Sequence, residues 1–213
     1  MTDLPIYSQP VLNFKLKLSG SARKYLISAF LLLFIPMALS AQWLEGYSSR
    51  IKVTIPATQI AGSSPHSDFP VLVSTTIADL RTTANGGYVE HSWGYDIAFS
   101  EDHSTTLYHQ VEEYNPETGQ LIAWVRIPVL NPLSDYEFYI YFGNPDISID
   151  PSTRSTWSND YVSVYHLHDD ENDGTYRFND GTNFGSLNAT GKIADGQVFN
   201  GSSQYIDLSL IHI

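Results

Sequence analysis

The sequence predicts an all-β chain built as a jelly-roll-like β-sandwich, and three observations carry that expectation. Short runs alternate apolar and polar residues, the period of a strand with one buried face. Clusters of Gly, Pro and Asn separate those runs. Past residue 41, no stretch of about twelve or more residues carries the 3.6-residue period of an amphipathic helix. A count of 14 Tyr against 2 Met leans the same way, because Tyr packs well on a pleated surface.

Residues 1–41 read as a targeting segment outside the fold. Lys15, Lys17, Arg23 and Lys24 form a basic region, Leu26 to Leu39 is almost unbroken apolar sequence, and Ser40-Ala41 supplies small residues for cleavage. The apolar run of roughly fourteen residues falls short of the ~20 that a spanning helix needs. The expectation is a signal helix and no stable membrane span in the mature chain. The alternative is an uncleaved N-terminal anchor.

In the mature chain, Ile51, Val53 and Ile55 alternate with polar residues as a strand closed by Pro56. Phe69 to Val73 is a continuous apolar run, as expected of a strand covered on both faces. Tyr95 to Ser100 and Thr106 to Tyr114 follow as strands, with a turn at Asn85-Gly86-Gly87 before them. Asn115 to Gly119 is a compact turn feeding Leu121 to Ile127, which predicts a hairpin. In Tyr136 to Phe142 the side chains of Tyr136, Phe138, Ile140 and Phe142 share one face, and those of Glu137, Tyr139 and Tyr141 share the other. The stretch Leu121 to Gly143 reads as the central pair of the sandwich.

The polar, Pro-containing stretch after Gly143 suggests a domain boundary. The predicted organisation is a signal peptide (1–41), a β-sandwich domain (43–148), a linker (149–156) and the beginning of a second, truncated sandwich (157–208). Residues 209–213 close a sequence, LSLIHI, that one reading frame of a transposon-based sequencing adapter encodes. The expectation is that they are an artefact and that the chain is cut short.

The chain has 213 residues, no Cys and a net charge of -12. Disulfides and thiolate metal sites are therefore excluded. Removing residues 1–41 leaves seven basic against 22 acidic residues, so the mature part is more acidic still. That balance argues against nucleic acid, which needs a basic patch.

The segments Phe69 to Val73, Asp96 to Phe99, Tyr114-Asn115 with Gly119, Ala123 to Pro128 and Tyr139 to Asn144 occur in an order and spacing that resemble the bacterial secreted family called domain of unknown function 2341. The resemblance covers about residues 43–150. Trp157, Val164 to Leu167, Asn179 to Thr182, Gly191 to Ile193 and Phe199 to Ile206 resemble the start of a laminin-G-like, concanavalin A-like lectin module. Together the resemblances imply β-sandwich folds at the bacterial cell surface, and recognition of glycans or surface proteins. They bring no established activity.

Two sites stand out. Asp169, Glu171 and Asp173 stand at alternate positions before Gly174, and Asp180 follows. Oxygen ligands so spaced, with a Gly for the sharp turn, suit calcium, the one cofactor the sequence suggests. The bland alternative is a solvated acidic loop. Among the aromatics, Trp93 and Tyr95 are placed for ligand contact, because His91, Ser92 and Gly94 mark a loop. Trp124, Tyr139 and Tyr141 are better read as packing residues.

No catalytic constellation is legible. His66, His91, His103 and His109 lack metal-site spacing and read as exposed or half-buried neutral side chains, and His166 as a packed, hydrogen-bonded one. Glu112 and Glu113 are adjacent in a strand and should point to opposite faces, which denies them a shared cleft. The expected function is a secreted or cell-surface, non-catalytic module for adhesion or carbohydrate recognition. The alternatives are an accessory domain of a truncated polysaccharide-degrading enzyme, or a structural spacer in a large surface protein.

Overall fold

The computed structural model describes residues 43–158, 160–168 and 170–208. The predicted signal segment, Asp169 and the suspected adapter residues lie outside the described residues. The fold is all-β. Its strands are β1 (Ser49–Ile55), β2 (His66–Thr76), β3 (Ala98–Ser100), β4 (His109–Asn115), β5 (Gln120–Leu130), β6 (Tyr136–Phe142), β7 (Thr182–Phe184), β8 (Leu187–Thr190), β9 (Asp195–Val198) and β10 (Tyr205–Asp207).

Two three-stranded antiparallel sheets form the sandwich, in the orders β1-β6-β3 and β2-β5-β4. β5 and β6 are therefore not hydrogen-bonded neighbours. Each is the middle strand of its own sheet, and the short link containing Pro132 carries the chain from one sheet to the other. Central position explains their sequence, since a middle strand meets side chains on both flanks and both faces.

One core fills the space between the sheets. Leu121, Ala123, Val125 and Ile127 of β5 face Phe138, Ile140 and Phe142 of β6, with Phe99 and Val73 alongside. The predicted face of β6 is the core face. Its other face is also in use: Tyr141 is fully buried against Leu44 and Ala98. Above Tyr141 and Tyr139 the Arg50 guanidinium sits 4.6 Å from the Trp43 ring and 4.7 Å from the Tyr139 ring. Such cation–π contacts hold the N-terminal lead to the sheet.

Three strand expectations change. β2 is covered on one flank only, where it pairs with β5, and Phe69 is 43% exposed. Pro70 suits this edge position, having no N–H to donate. The strand expected over Tyr95 to Ser100 begins only at Ala98, because Asp96 is taken up by loop hydrogen bonds. The β4–β5 hairpin forms as expected through Asn115 to Gly119, but a β-bulge interrupts β4 between Val111 and Glu113.

That bulge moves a face. Val111 lies opposite Ala123 and packs on the core, and Tyr114 lies opposite Leu121 and also packs on the core. Glu113 pairs with Ile122, and Glu112, the extra residue, reaches His166. Both carboxylates therefore sit on the outer side of the sheet, not on opposite faces. An inserted residue reverses the alternation beyond it.

The chain past residue 150 packs on this outer face. Thr153 N–H donates to His109 O at 2.9 Å and Val111 N–H donates to Ser152 Oγ at 3.2 Å, so residues 152–153 run along the flank of β4. Trp157 packs against Trp124 in a tilted contact, with ring centroids 5.5 Å apart. Trp124 is thus a packing residue, on the face opposite Ala123 and Val125. Farther on, β7 pairs with β10 and β8 with β9 as two small antiparallel ribbons.

Candidate functional site

The loop 90–96 is built around one buried carboxylate. Asp96 is 0% exposed. Its Oδ2 accepts from the backbone N–H groups of Glu90 (2.8 Å), Gly143 (3.0 Å) and Asn144 (3.3 Å), and its Oδ1 accepts from His91 N–H (2.9 Å). Four oriented donors replace the water that the charge loses. They also tie the loop to the end of β6.

Within that frame the loop closes tightly. His91 stacks on Tyr95 with ring centroids 4.2 Å apart, and its Nδ1 accepts from Trp93 N–H at 3.2 Å. Gly94 has φ +70°, and a Cβ there would press on the Tyr114 ring. Tyr114 anchors the floor: its hydroxyl donates to Leu80 O at 2.8 Å. Burial, and then the nearby Asp96 carboxylate, push the Tyr114 phenol well above its ordinary range.

This arrangement leaves the Trp93 side chain 70% exposed at the rim of a cleft of about 300 Å³. Tyr95, Glu112, Glu113, Asp150 and His168 line the cleft with it. Trp93 offers a free aromatic face. Tyr95 is half-buried and has one face taken by His91. Glu113 joins Glu112 on the cleft side only because of the bulge, which neither composition nor alternation announces. Asp150 comes from the expected linker. His168 Nδ1 lies 2.9 Å from Asp195 Oδ2.

Glu112 has a second task. Its side chain is 3% exposed and pairs with His166 Nδ1. His166 Nε2 lies 2.9 Å from Gln110 Oε1, which also accepts from Trp157 Nε1 at 2.7 Å. The indole N–H can only donate, so it fixes the orientation of the Gln110 amide. His166 is packed and hydrogen-bonded as expected, and it clamps the segment around Trp157 to β4.

The acidic loop past residue 169 is organised by Asp173. Its carboxylate accepts from the N–H groups of Val164 (3.0 Å), Thr175 (2.9 Å) and Asn179 (3.0 Å) and from the Thr175 hydroxyl (2.8 Å). Burial works to raise its pKa, but those hydrogen bonds outweigh it and hold the group below the ordinary carboxylate range. Asp180 Oδ1 accepts from Asp173 N–H at 2.9 Å, and Glu171 Oε1 accepts from Asn183 Nδ2 at 2.8 Å. Both Asp173 oxygens are thus engaged by protein donors. Among the described residues no group of three or more His, Asp or Glu is placed to hold a metal ion.

The histidines disperse as the spacing implied, with one exception in burial. His66, His91 and His103 are half-buried. His109 is buried, against the expectation that it would be exposed or half-exposed. It lies in van der Waals contact with Phe99, and its Nδ1–H donates to Leu107 O at 3.1 Å. Burial lowers its pKa, so the ring is neutral.

No curated protein and no solved structure matches the chain. One family does, though over a stretch shifted from the expected 43–150: residues 93–184, which begin at Trp93 and include all the cleft residues named above, match the model described as Domain of unknown function (DUF2341).

Proposed function

We propose that this chain is a non-catalytic carbohydrate-recognition module of the cell surface or secreted space, and that the Trp93 cleft is its binding site. The observation that carries the reading is the exposed indole of Trp93, held on a loop fixed by four hydrogen bonds to Asp96. A large aromatic side chain held at the rim of a cleft offers an apolar plane on which a partner can stack. A pyranose ring is such a partner: its C–H face stacks on an aromatic plane, while its hydroxyls donate to nearby carboxylates. Glu113 and Asp150 line the cleft as acceptors.

The test is binding of the full chain to a panel of soluble polysaccharides, followed by intrinsic tryptophan fluorescence. Binding that quenches Trp93 emission and disappears in Trp93→Ala supports the reading. Lack of binding to every glycan, or binding unchanged in Trp93→Ala, removes it. Release of new reducing ends during the assay would overturn the non-catalytic part.

A further inference from the structure

The formal charge lining the Trp93 cleft is of one sign. Glu112, Glu113 and Asp150 line it, and among the described residues no Lys or Arg does. The three carboxylates are not equally engaged. Glu112 pairs with His166. Asp150 is exposed, and its Oδ1 accepts from Ser152 N–H at 2.9 Å. Glu113 is half-buried on the outer side of β4, and among the described residues its carboxylate meets neither a hydrogen-bond donor nor a cation. His168 also lines the cleft, but its Nδ1 faces Asp195 Oδ2 at 2.9 Å. Asp96 and Asp173 are each enclosed by protein donors, and Glu113 is not. A carboxylate drawn partly out of water without protein donors is matched best by a ligand that brings its own.

Carbohydrates divide by charge at such a cleft. A uronate or a sulfate ester would set its anion against Glu113 and Asp150 with no Lys or Arg to meet it, a juxtaposition that costs affinity. A neutral hexose donates hydroxyl hydrogen bonds but brings no charge. A sugar with a free amine brings an ammonium, which offers a carboxylate three donors and the opposite charge. The exposed Trp93 indole suits the same ligand, because the apolar face of the ring stacks on it and an ammonium nearby is drawn to its π-face. Aromatic plane and unpaired carboxylate are separate features that ask for one ligand.

We infer that the Trp93 cleft selects glycans built of hexosamine units with free amino groups, the sugar ring lying on Trp93 and its ammonium meeting the Glu113 carboxylate, with Asp150 adding to the negative field. This specificity rests on the carbohydrate reading of the same cleft.

The full chain is titrated calorimetrically, at mildly acidic pH where a sugar amine is cationic, with a glucosamine tetrasaccharide, its fully N-acetylated counterpart and a galacturonate tetrasaccharide. Acetylation removes the charge and keeps the ring and the linkage. The glucosamine form should bind about fivefold or more tighter than the acetylated form, and the galacturonate form most weakly. Glu113→Gln keeps the shape of the side chain and removes its charge, so it should bring the first two within about twofold of each other. If that variant does not fold, the parent protein still decides, because the preference must shrink as salt is raised. Equal or tighter binding of the acetylated or galacturonate form, a preference indifferent to salt, or one undiminished in folded Glu113→Gln overturns the inference. Displacement of the glucosamine tetrasaccharide by an equal concentration of tri-lysine overturns it too, since the cleft would then read an ammonium on a peptide. If the acetylated form binds through Trp93 and the free amines add nothing, this inference fails and the carbohydrate reading stands. If no glycan binds, the carbohydrate reading itself fails.

Discussion

Asp96→Asn is the substitution that bears most on how the candidate site is held. The side chain is fully buried and receives four backbone N–H groups, three on Oδ2 and one on Oδ1. Asparagine keeps one oxygen. Its best orientation leaves that oxygen toward Glu90, Gly143 and Asn144 and turns its NH₂ against the His91 N–H. One bond is then replaced by two facing donors, and the other three lose the assistance of the negative charge. A hydrogen bond to a charged group contributes about 1.5–3 kcal/mol, and a buried donor left unmade costs ~1–3 kcal/mol. Allowing for relaxation of the loop, the expected destabilisation is about 2–4 kcal/mol. For a chain of this size each kcal/mol moves the midpoint by roughly 2–4 °C, which predicts a fall of about 5–15 °C. Thermal unfolding followed by near-UV circular dichroism measures it. A midpoint within about 1 °C of the parent would refute the claim that this carboxylate organises the loop, since surface changes are usually that small.

Other predictions probe separate elements. His109 has a depressed folded-state pKa, so its contribution to stability is fully present above the unfolded value of 6.5 and is lost as pH falls through the folded value. Stability should decline as pH falls from about 6.5 to the lower folded-state value, with a slope of at most about 1.4 kcal/mol per unit from this group, and level off below it. Urea titrations of the parent and His109→Gln at neutral and mildly acidic pH should show a shallower decline in the variant; parallel declines would contradict the buried neutral ring. Gln110→Ala strands the Trp157 indole N–H and removes a partner of His166, so it should cost ~1–3 kcal/mol and speed amide exchange around residues 157–175. Unchanged exchange there would show that Gln110 is not the clamp. Gly119→Ala places a Cβ against the Ile77 carbonyl at φ +74° and should destabilise by more than ~1 kcal/mol, checked by the urea midpoint.

The legible parts of the fold were those that period and turn chemistry govern. β1 and β6 show clean alternation, and β6 buries the face the pattern assigns it. Asn115 to Gly119 closes the β4–β5 hairpin through Asn115 Oδ1, which accepts from Glu117 and Thr118 N–H, with Gly119 at positive φ. Pairing was less legible. Nothing local tells β5 that its sequence neighbour β6 belongs to the opposite sheet. Phe69 to Val73 reads as interior, yet an edge strand is what Pro70 allows.

The candidate cleft was half legible. Trp93 stood out as a large aromatic in loop sequence, and it is the most exposed of the four tryptophans. Glu113 was assigned to the wrong face because a bulge has no signature in the alternation it disrupts. Asp96 looked like part of a strand, whereas its role depends on N–H groups almost fifty residues away at Gly143 and Asn144. Asp173 stood out as an acidic residue before a Gly, but the N–H and hydroxyl donors that surround its carboxylate come from positions the local sequence does not mark.

The most direct test of the recognition reading is calorimetric titration of the full chain with soluble polysaccharides, run in parallel on Trp93→Ala. A stacked aromatic platform is worth ~1–3 kcal/mol, so the account predicts a loss of at least about fivefold in affinity in the variant, with its unfolding midpoint unchanged. Equal affinity in the two proteins, or no heat with any glycan, would contradict it.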